Sequence, residues 1–352
     1  MNHNTFDINN LVRKNVSALL PYSSARDEYV SDGSQMVFLD ANENPFETGV
    51  NRYPDPQQRN LKEALAAKKG VSANQILLGN GSDEVLDLLF RAFCEPKEDH
   101  IITLPPTYGM YNVLAGINNV ENKKVLLTQD FEPNVPEILK IANEQSKLLF
   151  LCSPNNPTAN SFNNTLVKEL LENFNGLVVV DEAYIDFSKE ESWISKLDQY
   201  PNLVVTQTLS KAFGMAGVRL GICYASKEII SVLNKIKAPY NVNELSQKRA
   251  LERILDEETV TKEIKEILLE REALSKIVAD LSFVEKVYES DANFILVKVD
   301  DATNRYNQLL KKGIVVRNRT KEPLCENTLR FTVGTKEENK KLIRVLQQIT
   351  TA

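Results

Sequence analysis

The stretch Leu177-Val-Val-Val-Asp-Glu-Ala-Tyr184 sets the fold. Its four opening residues are all apolar and three are β-branched, so the strand they form has no polar face and must be covered on both sides. That is the condition of a parallel sheet held between helices. Short apolar runs of the same kind recur at 76–78, 101–104, 148–152, 203–206 and 220–224. Between them, 83–93, 165–173 and 227–235 carry apolar residues at helical spacing. The alternation runs through residues 40–240 and predicts an α/β unit with crossover helices and a largely parallel sheet.

Outside that block the pattern changes. From Asn243 to about Leu281 the chain is rich in Glu, Lys and Leu and has neither Gly nor Pro, which predicts a long helix broken once near Asp256. Strand patterns at 293–299, 314–316 and 329–333, with helical patterns at 302–311 and 336–348, predict a small α+β unit at the end of the chain. Near the start, Leu19, Leu20, Pro21 and Tyr22 form an apolar knot between polar segments and read as an arm. The expected organisation is an arm over 1–38, a large domain over 39–242, and a linking helix with a small domain over 243–352.

Composition narrows the chemistry. A chain of 352 residues exceeds the usual single-core limit, which fits that division. With 42% hydrophobic residues and a net charge of −6 it is neither a disordered polyanion nor a basic nucleic-acid binder. Only His3 and His100 are present, which argues against His-ligated zinc and leaves acid–base work mainly to Lys, Asp, Glu or Tyr. Cys94, Cys152, Cys223 and Cys325 are far apart and form no paired motif, so buried reduced thiols are expected rather than a disulfide scaffold or a metal site. No apolar run approaches membrane-spanning length and Met1 to Leu20 has no apolar leader core, so a cytoplasmic protein is expected.

Four segments at predicted strand ends could carry chemistry. In Ile76-Leu-Leu-Gly-Asn-Gly-Ser-Asp-Glu84 a strand runs through a glycine turn into a helix, with Ser82 or Asp83 as candidate caps. Free N–H groups at such a turn can cradle a phosphate, and an ordinary βα turn accounts for the residues equally well. Cys152-Ser-Pro-Asn-Asn-Pro-Thr158 is a proline-stiffened turn that holds Asn155 and Asn156 as polar donors. Of the two carboxylates in Asp181-Glu182, alternation along a strand lets only one face a given cleft. In Thr206-Gln-Thr-Leu-Ser-Lys-Ala-Phe-Gly-Met-Ala-Gly-Val-Arg-Leu-Gly221, Lys211 lies among small residues, and a desolvated lysine favours the neutral amine that attacks carbonyls. Thr208, Ser210 and Arg219 stand near it as candidate anion ligands. Anion donors, an inward aspartate and a nucleophilic lysine together match the needs of pyridoxal phosphate, and Tyr108 offers a ring to stack on it.

The ordered motifs carry a resemblance over almost the whole chain. Leu39-Asp-Ala-Asn-Glu-Asn-Pro45, Asn51-Arg-Tyr-Pro54, Gly79-Asn-Gly-Ser-Asp-Glu84, Pro105-Pro-Thr-Tyr-Gly-Met-Tyr111, Ser153-Pro-Asn-Asn-Pro-Thr158, Asp181-Glu-Ala-Tyr184, Leu209-Ser-Lys-Ala-Phe-Gly214, Gly217-Val-Arg-Leu-Gly221 and Leu329-Arg-Phe-Thr-Val-Gly334 are similar to those of fold-type I, class II pyridoxal-phosphate aminotransferases. Within that family the chain most resembles the histidinol-phosphate branch. The resemblance implies a mostly parallel seven-stranded sheet flanked by helices, a small α+β C-terminal domain, an N-terminal arm, and a homodimer with shared active sites.

It also implies roles. Lys211 would bond the cofactor aldehyde and shuttle the proton, Asp181 would pair with the pyridinium nitrogen, Asn156 and Tyr184 would hold the ring hydroxyl, and Tyr108 would stack on the ring. Gly81, Ser82, Asp83, Thr208, Ser210 and Arg219 would hold the phosphate, joined by Tyr53 from the second subunit. Arg330 would take the substrate carboxylate or phosphate, with Arg317, Tyr22 and Asn42 as further substrate contacts. The implied substrates are glutamate and histidinol phosphate, with no metal and no nucleic acid. An aromatic-amino-acid aminotransferase or a threonine-phosphate decarboxylase shares the same cofactor residues, and a noncatalytic cofactor-binding regulator is the remoter alternative. Ala159 stands where the family has glycine, which a β-carbon tolerates only if that residue does not need a positive φ, so a slightly altered turn is expected there.

Overall fold

The computed structural model describes residues 6–21 and 37–350. Seven strands form the main sheet: β1 (Ile76–Gly79), β2 (His100–Thr103), β3 (Glu121–Lys124), β4 (Ser146–Cys152), β5 (Leu177–Asp181), β6 (Leu203–Thr208) and β7 (Gly221–Ala225), in the order β1-β7-β6-β5-β4-β2-β3. Only β7 runs against its neighbours. The expectation from continuous apolar runs therefore holds. Leu149, Leu151, Val178 and Val180 pack into one core and Leu148, Phe150, Leu177 and Val179 into another, the two faces that period-two alternation demands.

Among the described helices preceding residue 240 are α1 (Lys14–Ala18), α2 (Arg59–Lys69), α3 (Ser82–Phe93), α4 (Met110–Ile117), α5 (Val135–Ile141), α6 (Asn164–Asn173) and α7 (Lys227–Ile236). Helices α2 and α6 seal the first core, and α3 and α7 the second. Strand β3 escapes a reading by apolar pattern because its sequence is Glu121-Asn-Lys-Lys124. It is an edge strand, and charged side chains suit an edge because they discourage further pairing.

Asp256 divides the long helical stretch as its sequence predicts. It closes α8 (Glu244–Leu255) and caps α9 (Glu257–Ala279), its side chain accepting from the Thr259 N–H at 3.4 Å. A second, antiparallel sheet follows in the order β10-β11-β9-β8, with β8 at Val284–Val287, β9 at Phe294–Val299, β10 at Arg317–Asn318 and β11 at Thr328–Thr332. Helices α10 (Ala302–Lys311) and α11 (Lys336–Thr350) pack on it around Ile295, Val297, Leu329 and Phe331. The strand expected at 314–316 is displaced. Ile314 and Val316 pack against the core without joining the ladder, which Arg317 and Asn318 enter instead.

Two further expectations are corrected. Neither Ser82 nor Asp83 caps α3: Gly81 occupies the cap position at φ +86, and Ser82 is already helical. Ala159 does adopt a positive φ, +72, so the turn keeps the backbone that favours glycine and the alanine bears the strain. The four cysteines are buried and free. No described helix is long and apolar enough to cross a membrane.

Candidate active site

The four motif segments meet at the carboxyl ends of the parallel strands, where open α/β sheets form clefts. Asp181 is the last residue of β5, and in register beside it on β6 is Thr206, whose hydroxyl donates to Oδ1 at 3.1 Å. The Tyr111 hydroxyl donates to Oδ2 at 2.7 Å. Burial pushes the Asp181 carboxyl up from its ordinary value, and these two donors work against that by favouring the anion. Glu182 turns to the opposite side, where Ser192, Gln207 and the Trp193 N–H hold it, so the two adjacent carboxylates do separate across the sheet.

Lys211 follows β6 in a loop whose Gly214 N–H donates back to the lysine carbonyl at 3.0 Å. Its Nζ lies 5.7 Å from the centre of the Tyr184 ring. The residue faces solvent, yet surrounding protein desolvates the amine and lowers its pKa, and the Arg330 charge adds to the effect. Tyr184 is buried and meets Phe294 edge-on at 5.1 Å.

A close-packed glycine turn lies at the start of α3. Gly221 approaches this turn so closely that a β-carbon on it would fall 2.2 Å from the Ser82 nitrogen and 2.4 Å from the Gly81 carbonyl carbon. A β-carbon on Gly81 would fall 2.6 Å from the Arg219 guanidinium. Arg219, itself at φ +57, has Nη2 3.7 Å from Asp83 Oδ2, and Asp83 accepts from the Tyr108 hydroxyl at 3.1 Å. Thr208 and Ser210 are linked across the same loop, with hydroxyl oxygens 3.0 Å apart. Tyr108 stands edge-on to Tyr111 at 5.5 Å, and Tyr111 stacks on Phe150 at 4.7 Å.

The opposite wall comes from the small sheet. Arg330 on β11 donates through Nη1 to Asn156 Oδ1 and lies 4.9 Å over the Phe294 ring. Its pKa is pushed down to about 10, by burial first and then by Arg319. Arg317 is its register partner on β10 and is exposed.

The structure thus gathers Gly81, Ser82, Asp83, Tyr108, Asn156, Asp181, Tyr184, Thr208, Ser210, Lys211, Arg219 and Arg330 about one cleft. It does not bring Tyr53 or Asn42 there. Tyr53 is half exposed and stacks on Tyr240 at 4.5 Å, and with Asn42 it lines a surface cleft that includes none of Lys211, Asp181 or Arg330. Tyr22 lies outside the described residues. His100 has a partner, Ser146 Oγ at 2.6 Å from Nε2, but both residues open their strands, at the other end of the sheet.

Sequence reasoning missed Tyr111, Thr206, Phe294 and Arg319. Tyr111 stands in the first turn of α4, whose cap Gly109 separates it from Tyr108, and only the folded packing turns its hydroxyl to Asp181. Thr206 needed the β5–β6 register, which no residue pattern fixes.

The aminotransferase class I and II family model matches residues 35–346. A histidinol-phosphate aminotransferase of Flavobacterium johnsoniae is 65% identical over 98% of this chain and 99% of its own length. The solved structure of the histidinol-phosphate aminotransferase from Clostridium acetobutylicum superposes with a TM-score of 0.79 at 24% identity, covering 86% of this chain and 92% of its own. That from Sinorhizobium meliloti, solved with pyridoxal-5'-phosphate, gives 0.78 at 22% identity over 85% and 83%. At those identities the structural likeness speaks for the fold, and the family rests on the motif-bearing sequence. The chain belongs to the class I and II aminotransferases, and within them to the histidinol-phosphate aminotransferase family.

Proposed function

We propose that the chain is a pyridoxal-phosphate-dependent histidinol-phosphate aminotransferase that moves an amino group between L-glutamate and imidazole acetol phosphate. The observation that carries the reading is a desolvated Lys211 amine influenced on one side by buried Asp181 and on the other by Arg330. The near-full-length identity to a relative of that name supports the substrate class.

The residues present fit the cofactor. The Gly221–Ser82 approach leaves no room for a side chain but leaves the first N–H groups of α3 to meet a phosphate, with Arg219 beside them. Asp181 is a buried carboxylate with a raised proton affinity, suited to a cationic ring nitrogen. When bound, pyridoxal phosphate supplies an aldehyde that takes up the amino group and a ring that stores the electron pair released at the substrate Cα.

The chain's own residues do the rest. Asp181 would keep the proton on the ring nitrogen, Tyr108 would cover the ring, and Asn156 with Tyr184 would orient its hydroxyl. Lys211 would move the proton between the substrate Cα and the cofactor C4′. Arg330, with Arg317, holds glutamate's carboxylate in one half of the cycle and the phosphate of histidinol phosphate in the other. Tyr53 stacks outside its own chain's cleft, which supports a homodimer in which it reaches the neighbouring site, while Tyr22 and Asn42 serve the substrate. An arm over 1–38, a cofactor unit over 39–242, a small unit over 243–352 and a cytoplasmic location complete the proposal.

The test compares histidinol phosphate, phenylalanine and tyrosine as amino donors to 2-oxoglutarate, and assays CO₂ release from phosphothreonine. Histidinol phosphate should give the highest kcat/KM. Lys211→Ala should lower kcat by at least about 10³-fold. Faster turnover of phenylalanine, CO₂ release, or near-normal activity of the variant would overturn the reading.

A further inference from the structure

Three arginines stand on one face of the small sheet. Arg317 and Arg330 are directly opposite in the β10–β11 ladder, so their side chains leave from the same side. Arg319, two residues on, continues the ladder by donating its N–H to the Thr328 carbonyl at 2.9 Å, and it shares that side on a diagonal to Arg330. The Nε atoms of Arg319 and Arg330 are both buried without a hydrogen-bond partner, as is the Thr320 hydroxyl oxygen. Among the described residues Arg319 has one ion pair, Nη1 to Glu322 Oε1 at 3.6 Å. Buried N–H groups on neighbouring cations are costly when nothing accepts from them. The negative charge of an anion at this wall offsets the repulsion between the two cations without contact with Arg319.

The Arg319 charge reaches the cleft. After burial it is the largest influence on Arg330, ahead of Arg317, and it also acts on Tyr184.

We propose that Arg319 is a positioning residue for substrate choice: its charge, acting through the field at Arg330, favours the doubly charged phosphate end of one substrate over the singly charged carboxylate of the other. The proposal rests on the reading of Arg330 as the substrate-anion site. A fixed charge that does not touch the ligand acts in proportion to the ligand's charge, so a dianion gains about twice the free energy that a monoanion gains. Contact with Glu322 through Nη1 orients the guanidinium and leaves Nε toward the protein.

Arg319→Gln should raise KM for histidinol phosphate about 10- to 100-fold and KM for glutamate by roughly the square root of that factor, with kcat changed less than about threefold. Arg319→Lys keeps the charge and should restore most of both values. Equal rises in the two KM values, a fall in kcat with KM unchanged, or a lysine variant as impaired as the glutamine variant would each overturn the proposal. Calorimetric titration of the wild-type and Arg319→Gln holoenzymes with inorganic phosphate separates this outcome from failure of the functional reading. If wild type does not turn over histidinol phosphate, the functional reading falls. About tenfold weaker phosphate binding by the variant still supports the role of Arg319, and unchanged binding overturns it.

Discussion

The Tyr111 hydroxyl donates to Asp181 Oδ2 at 2.7 Å from a ring with no solvent exposure, stacked on Phe150. Phenylalanine fills the same stack, so Tyr111→Phe keeps the ring and removes the hydroxyl's bond to Asp181 together with its hydrogen-bond contact with the Cys152 thiol. The bond to Asp181 favours the ionised carboxylate, and its loss raises the Asp181 proton affinity further. A hydrogen bond to a charged group contributes about 1.5–3 kcal/mol, so the variant should lose roughly 10- to 100-fold in kcat and in cofactor affinity. Titration of the apoenzyme with cofactor over a pH series checks it. Unchanged affinity at every pH would remove Tyr111 from the site.

Gly221→Ala tests the cradle proposed for the phosphate. The added carbon would meet backbone atoms of Gly81 and Ser82 at 2.2–2.5 Å, and no side-chain rotation relieves a clash with backbone. Strands β1 and β7 pair at that very residue, Gly79 opposite Gly221, so the turn and the strand must separate together. Cofactor affinity should fall at least about tenfold, with overpacking costing about 1–3 kcal/mol of apoenzyme stability. Equilibrium titration of cofactor and thermal melts read the two effects separately, and full affinity would mean that the phosphate lies elsewhere.

What the sequence made legible follows from what its patterns encode. The β5 run and its neighbours announced a sheet covered on both sides, because burial alone selects unbroken apolar strands, and Asp256 announced the break between α8 and α9 because its side chain caps the second helix. Lys211 and Asp181 were readable because their chemistry is rare in a glycine-rich loop and at a strand end, whereas Arg330, in the middle of β11, was identified only through the family resemblance. Strand β3 was not readable, since an edge strand can be entirely polar. The partners of Asp181 were hidden too, because strand register and helix packing bring Thr206 and Tyr111 to it across 25 and 70 residues of chain.

Glu182 makes the apoenzyme's stability depend on pH. Burial pushes its carboxyl up to about 7, against the donors Ser192, Trp193 and Gln207. A carboxyl whose folded pKa lies above its unfolded value of 4.5 contributes stability that is complete below 4.5 and is lost as pH rises through about 7. The contribution is roughly 3 kcal/mol. Glu182→Gln has no proton to lose, so melts between pH 5 and pH 8 should show wild type falling by about that much more than the variant. Parallel profiles would refute the assignment. Asp181 acts in the same sense in both proteins and cancels in the comparison.

Ala159 allows the strain at the cofactor turn to be weighed. At φ +72 an alanine costs about 1–2 kcal/mol relative to ordinary backbone, and Ala159→Gly removes that cost. Against it stand one buried methyl, about 0.8 kcal/mol, and the freer unfolded chain of glycine, about 0.4–1 kcal/mol. The opposing contributions nearly cancel, so the variant should differ from wild type by less than about 1 kcal/mol. Ala250, equally buried but inside α8, supplies the contrast. There glycine loses the methyl and about 1 kcal/mol of helix propensity with no strain to recover, so Ala250→Gly should cost about 2 kcal/mol. Chemical denaturation of the two variants reads the difference directly. Equal losses would mean that the turn carries no strain. The expected gap would show that it tolerates alanine because the Ala159 N–H and carbonyl are held by Asn155 and Asp291 at 2.8 Å each, fixing the left-handed backbone whichever residue occupies it.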